Sequence, residues 1–137
     1  MSLVLDSSAT LAWIYPDESS AAVARVFALV AAEGAWVPSL WRLEVANALQ
    51  AGVRRGRIDI TFRDATLQDL GRLDIRVDSE TGRQAWGATR YLSDRFGLTL
   101  YDAAYLELAN RRQLRLATLD AKLRAASSAL GLAFPEA

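Results

Sequence analysis

Leu3-Val4-Leu5-Asp6-Ser7-Ser8-Ala9 is the stretch that decides how this chain folds. Three consecutive apolar residues without alternation describe a short strand buried on both faces, as in a parallel sheet covered by helices. The run stops at Asp6, and Ser7 and Ser8 are placed to cap a short helix through Leu11, Ala12 and Ile14 that ends near Pro16. The same alternation continues outward. Ser19 or Ser20 caps a helix carrying Val23, Val26, Phe27 and Val30 to near Gly34, and Ala35-Trp36-Val37 forms a second strand. Ser39 caps a helix with Trp41, Val45, Ala48 and Leu49 on one stripe, and Thr61 caps another through Ala65 and Leu70. Ile75-Arg76-Val77 reads as a third strand, residues 81–96 as one helix ended by Gly97, and Thr99 caps an apolar helix from Leu100 to about Arg112. Leu116-Ala117 is a strand leading into Thr118, a helix runs from Asp120 to Ala129, and Leu132-Ala133-Phe134 is a last edge strand ended by Pro135.

Strands this short, separated by one or two helices each, require crossover connections. The expected fold is α/β, a three-layer sandwich with a mainly parallel central sheet of four to five strands flanked by helices. A chain of 137 residues, 52% of them hydrophobic, supports one core, so residues 1–137 are expected to form a single domain. Ligands of open α/β sheets bind beyond the carboxyl ends of the strands, where Asp6 and Asp120 both fall.

Composition removes several chemistries. With no Cys there is no disulfide, thiolate ligand or thiol nucleophile, and with no His the usual general base and the commonest zinc ligand are missing. An enzyme built from this chain works with carboxylates, hydroxyls and arginines, and with a borrowed metal ion. The opening residues lack a basic segment followed by a long apolar one, and no apolar run reaches transmembrane length, so a soluble cytoplasmic protein without membrane association is expected. Net charge is zero, which offers nucleic acid no overall attraction, but basic residues cluster in two knots, Arg54, Arg55 and Arg57, and Arg111, Arg112 and Arg115. Either knot is also ordinary for a solvated helix end.

Four carboxylates stand apart from the acidic residues of turns and polar faces. Asp6 ends an apolar strand; Glu44 borders the apolar stripe of Trp41 and Ala48; Asp102 sits inside Leu98-Thr99-Leu100-Tyr101-Asp102-Ala103-Ala104-Tyr105-Leu106; Asp120 follows Leu116-Ala117-Thr118-Leu119. Each has a structural explanation by itself, as a helix cap, a first-turn acid or a solvated face residue. Together at one sheet edge they would repel one another, and a divalent cation relieves that conflict. Oxygen-only donors select a hard ion, Mg²⁺ or Mn²⁺.

These pieces, with Pro38-Ser39-Leu40-Trp41 leading into Glu44-Val45-Ala46-Asn47-Ala48-Leu49, occur in an order that resembles the PIN-domain ribonucleases, and within them the VapC-like toxins of toxin–antitoxin pairs. The resemblance spans essentially the whole chain. It implies that Asp6, Glu44, Asp102 and Asp120 form a catalytic, metal-binding quartet supported by Thr118, Asn47 and Ser7. It also implies RNA as substrate, a cognate antitoxin as inhibitor, and a homodimer. Trp13 and Tyr15, on the short helix beside the first strand, are then candidates for the antitoxin groove, and Arg54, Arg55 and Arg57 for the RNA backbone. Most of the other aromatics, Trp36, Trp41, Trp86, Tyr101 and Tyr105, read as core.

Three other readings compete. A catalytically silent PIN-like module binding RNA or protein would not need four carboxylates. A phosphatase using Asp6 as nucleophile lacks a second carboxylate in Ser7-Ser8-Ala9. A nucleotide-binding domain lacks a Gly-rich phosphate loop.

Overall fold

A computed structural model describes residues 2–135. Strands β1 (Leu3–Leu5), β2 (Ala35–Val37), β3 (Ile75–Val77) and β4 (Arg115–Ala117) form one sheet in the order β3-β2-β1-β4, with every pairing parallel. Helices α1 (Ser7–Ile14) and α2 (Ala21–Glu33), separated by a 3₁₀ turn over Pro16–Glu18, connect β1 to β2. Between β2 and β3 lie α3 (Trp41–Arg54) and α4 (Ile60–Gly71), and between β3 and β4 lie α5 (Thr81–Gln84), α6 (Ala88–Phe96) and α7 (Leu100–Arg112), with α8 (Ala121–Ala129) last. This is the expected parallel α/β architecture. The central strand is sealed: Leu3, Val4 and Leu5 are wholly buried, beside Leu49, Leu106, Leu108, Leu116 and Leu123.

Parallel register decides where the polar residues meet. Leu5 pairs with Ala117, so the residues that follow, Asp6 and Thr118, emerge side by side. Val37 pairs with Val77, which sets Pro38 beside Asp78, and the Asp78 N–H donates to the Val37 carbonyl at 2.8 Å.

The local reading is corrected at six points. Asp6 itself, with extended backbone, caps α1 by accepting from the Ala9 N–H, instead of Ser7 or Ser8. Asp59 caps α4 instead of Thr61, its carboxylate accepting from Phe62 at 2.7 Å. No side chain caps α3; the Ser39 N–H donates instead to Thr81 Oγ1. Residues 81–96 do not form one helix, because Gly87 adopts φ −113°, ψ −103° between α5 and α6, a break favoured by two glycines of low helix propensity. At this elbow Trp86 is 90% exposed and is no part of the core. The last edge strand shrinks to a single parallel bridge between Leu116 and Ala133. Among the described residues, no helix is long and apolar enough to cross a membrane.

Candidate functional site

Asp6 is the fixed point of the site. It is 4% exposed at the end of β1, and three donors converge on its carboxylate. Oδ1 accepts from Ser8 Oγ at 2.7 Å and from the Ala9 N–H at 2.9 Å, while Oδ2 accepts from Thr118 Oγ1 at 2.5 Å. A carboxylate offers about four lone-pair directions, so roughly one remains for a further partner. Burial pushes Asp6 up to about 6 despite these three bonds, and nearby Asp102 adds to the rise.

Thr118 and Ser8 tie the ends of β1 and β4 together. Thr118 Oγ1 accepts from the Asp120 N–H at 3.1 Å while donating to Asp6, and Ser8 Oγ accepts from the Leu119 N–H at 2.9 Å. Asp120 caps α8 by accepting from Leu123 at 2.9 Å, the ordinary role the sequence allowed for it. On the other side, Trp41 Nε1 donates to the fully buried Thr10, which donates to the Asp6 carbonyl at 2.8 Å. That chain fixes the first turn of α3, and so Glu44, against α1.

Glu44 is half-buried, and Tyr105 Oη donates to its Oε1 at 2.5 Å. Burial raises the Glu44 carboxyl and Asp102 adds to the rise, while Tyr105 and Ser7 pull it back. Asp102 lies in the first turn of α7, where Thr99 caps the helix; burial and the charge of Asp120 raise its carboxyl. The four carboxylates therefore share one electrostatic neighbourhood with Asp102 at its centre: Asp6 and Glu44 feel Asp102, and Asp102 feels Asp120.

The supporting residues expected from sequence divide. Thr118 and Ser7 are in the network; Asn47 is exposed on α3, and among the described residues no hydrogen bond joins it to the carboxylates. Three further side chains join the site: Ser8, read from sequence as a cap, Tyr105, read as core, and Thr10, which no pattern marks. Ser8 and Thr10 carry no stronger signal than two more small polar residues in an N-terminal turn. Tyr105 has the burial of a core aromatic, at 1% exposure, but its hydroxyl reaches the site.

The arginine knots are also redistributed. Arg57 ion-pairs with Asp17 and Glu18 and covers the Tyr15 ring at 3.7 Å, which leaves Arg54 and Arg55 exposed at the end of α3. Tyr15 is consequently buried and offers a partner no surface, whereas Trp13 is 38% exposed and stacks on Phe27 at 4.3 Å. Arg111 turns inward to Asp78, Glu107 and Glu80, and Arg112 lies 3.5 Å over Trp36. Arg111, paired with three acids, is not free for phosphate.

The PIN domain model matches residues 3–128. The chain belongs to the PIN-domain family. It is 33% identical over 127 residues to Ribonuclease VapC3 of Pyrobaculum aerophilum, covering 90% of this chain and 92% of that protein. The crystal structure of PAE2754 from the same organism superposes with a TM-score of 0.69 at 25% identity, covering 92% of this chain and 84% of that one. That of Mycobacterium tuberculosis VapC20, described as a sarcin-ricin loop cleaving toxin, gives 0.65 at 16% identity over 99% and 100% of the two chains, a likeness of fold.

The residue types gathered here are those a hard divalent cation takes. The side-chain donors of the site are carboxylates and hydroxyls, and the carboxyls of Asp6, Glu44 and Asp102 are raised by burial and by a neighbouring acid, the condition a cation relieves. Among the described residues, no three carboxylates gather tightly enough to enclose an ion. Mg²⁺ is commonly held by one or two carboxylates with waters making up the rest.

Proposed function

We propose that this PIN-domain chain is a metal-dependent endoribonuclease, the toxin of a VapBC-type pair held in check by a cognate antitoxin. The observation that carries the reading is the convergence of Asp6, Glu44 and Asp102, each raised by burial and linked through Asp102, at the carboxyl edge of the sheet. Keeping several half-buried carboxylates together has no structural benefit that apolar residues would not supply better. Similarity to Ribonuclease VapC3 supports RNA as the substrate.

Asp6 and Asp102 would hold a Mg²⁺ or Mn²⁺ ion, with Glu44 and Asp120 completing its surroundings directly or through water. Bound there, the ion supplies acidification of a water and stabilisation of charge on the phosphoryl oxygen. Thr118, Ser8 and the Ala9 N–H hold Asp6 in one orientation. Arg54 and Arg55, exposed at the end of α3, are the candidates to meet RNA phosphates. Water attacks phosphorus, the 3′ oxygen leaves, and the products carry 5′-phosphate and 3′-hydroxyl ends. An antitoxin segment lying along Trp13 and presenting a basic side chain to the carboxylates would silence the site. A cytoplasmic homodimer is the expected working form.

The test is cleavage of end-labelled structured RNAs with Mg²⁺, Mn²⁺ or EDTA, beside Asp6→Ala and Asp102→Ala. Metal-dependent cutting lost in both variants is expected. Equal cutting by parent and variants, or products with 2′,3′-cyclic phosphate, would overturn it.

A further inference from the structure

We propose that Tyr105 is a positioning residue that fixes Glu44 for cation binding, so that α7 orients two of the four carboxylates. The inference rests on the metal-dependent reading above and extends it to a residue whose burial alone marks it as core.

Tyr105 lies three positions after Asp102 on α7, so the two side chains are neighbours along one helix face. Its ring is 1% exposed in the hydrophobic core, which leaves the hydroxyl almost no freedom of direction. That hydroxyl meets Glu44 Oε1 at 2.5 Å, across 61 positions of sequence and between two helices. The phenol hydroxyl is the donor and the carboxylate oxygen the acceptor. Ser7 interacts with both Glu44 and Tyr105, bringing the start of α1 to the same point.

Glu44 needs such a fixture. It has three side-chain torsions and is only half-buried, whereas Asp6 is short, buried and held by three donors. Immobilising a flexible glutamate before an ion arrives removes an entropic cost of binding. The rigid bond also takes one of its two oxygens. Tyr105→Phe would fill the same core space and remove this tether from Glu44.

The experiment is titration of the full chain with Mn²⁺, following free ion by electron paramagnetic resonance, for the parent, Tyr105→Phe, Glu44→Gln and the double variant. Tyr105→Phe is expected to weaken binding about tenfold, as loss of an outer hydrogen bond to a metal ligand commonly does. Glu44→Gln is expected to weaken it at least as much, and adding Tyr105→Phe to Glu44→Gln to change nothing further, since the hydroxyl acts through Glu44. Parent-like Mn²⁺ affinity in Tyr105→Phe, with Glu44→Gln impaired, would overturn the role of Tyr105 and leave the nuclease reading standing. Additive losses in the double variant would likewise overturn it, because they indicate general loosening of the core. Unchanged affinity in Glu44→Gln and in Asp6→Asn together would remove the metal site and this inference with it.

Discussion

Thr118 Oγ1 and Asp6 Oδ2 stand 2.5 Å apart although 112 positions separate them in the chain. The bond exists because β1 and β4 are parallel neighbours in register, with Leu5 opposite Ala117, so the residue after each strand arrives at the same place. It joins a buried carboxylate to the loop that carries Asp120.

Replacing Thr118 by Val removes the donor to Asp6 and the acceptor for the Asp120 N–H. Mn²⁺ affinity is expected to fall about 10- to 100-fold, and Thr118→Ser to retain most of it. Calorimetric titration of both variants checks this; a Val variant binding as tightly as the parent would deny Thr118 any role at the site.

Asp6 titrates near 6 in the folded protein against 3.8 for an ordinary aspartate, so the folded state holds its proton more tightly. Its contribution to stability is greatest below pH 3.8 and is lost as pH rises through about 6, a cost of up to about 3 kcal/mol at neutral pH. In EDTA, Asp6→Asn is expected to melt several degrees above the parent at pH 7.5, with the gap closing towards pH 4. A gap independent of pH would refute this assignment.

Arg111 should be needed for folding, with no direct part in RNA binding. Burial alone would raise Asp78, but the Arg111 guanidinium at 2.7 Å reverses this and holds its carboxyl below the ordinary value. Arg111→Met strands Asp78 and Glu107 as buried, unpaired acids, a loss of about 3–5 kcal/mol. The stability that Asp78 contributes is present above the ordinary aspartate value and lost as pH falls through its lowered one. Urea unfolding at pH 7 and at pH 3 measures both effects.

Arg54 and Arg55 should behave differently from Arg57. Each phosphate contact removed lowers the slope of log affinity against log salt by about 0.7–0.9. Arg54→Gln and Arg55→Gln are expected to show that change with unaltered melting. Arg57→Gln, which loses Asp17, Glu18 and Tyr15, is expected to leave the slope unchanged. Equal slopes for all three variants would take the first two arginines out of the interface.

Gly34 has φ +76° and ψ −177°, backbone that only glycine adopts easily, and a Cβ there would lie 2.6 Å from the Asp74 carbonyl oxygen. Gly34→Ala is expected to cost more than about 2 kcal/mol, from strain and collision together. A melting curve suffices to check it.

Much of this protein is legible in its amino-acid sequence. Three of the four strands stand out as short apolar runs beside a turn or capping residue, whereas Ile75-Arg76-Val77 is weakly marked because Arg76 interrupts it; the four carboxylates stand out because they border or interrupt apolar context. Helix starts were less legible: Asp6 and Asp59 outcompeted nearby hydroxyls as caps, since cap choice depends on which residue takes the extended conformation. The elbow at Gly87 was missed because a helical pattern of side chains survives a break in the backbone.

The sequence by itself determined the layered parallel sheet, the oxygen-only chemistry and the positions of Asp6, Glu44, Asp102 and Asp120, because periodicity and composition are properties of single segments. Only the tertiary structure decided which groups serve the site. Tyr105, Ser8 and Thr10 entered it, Arg57 and Arg111 were drawn into ion pairs elsewhere, and Asn47 was left exposed. Apart from the local hydrogen bonds of Ser8 and Thr10 to Asp6, those outcomes depend on strand register and helix packing, which bring together residues tens of positions apart and have no counterpart in local pattern.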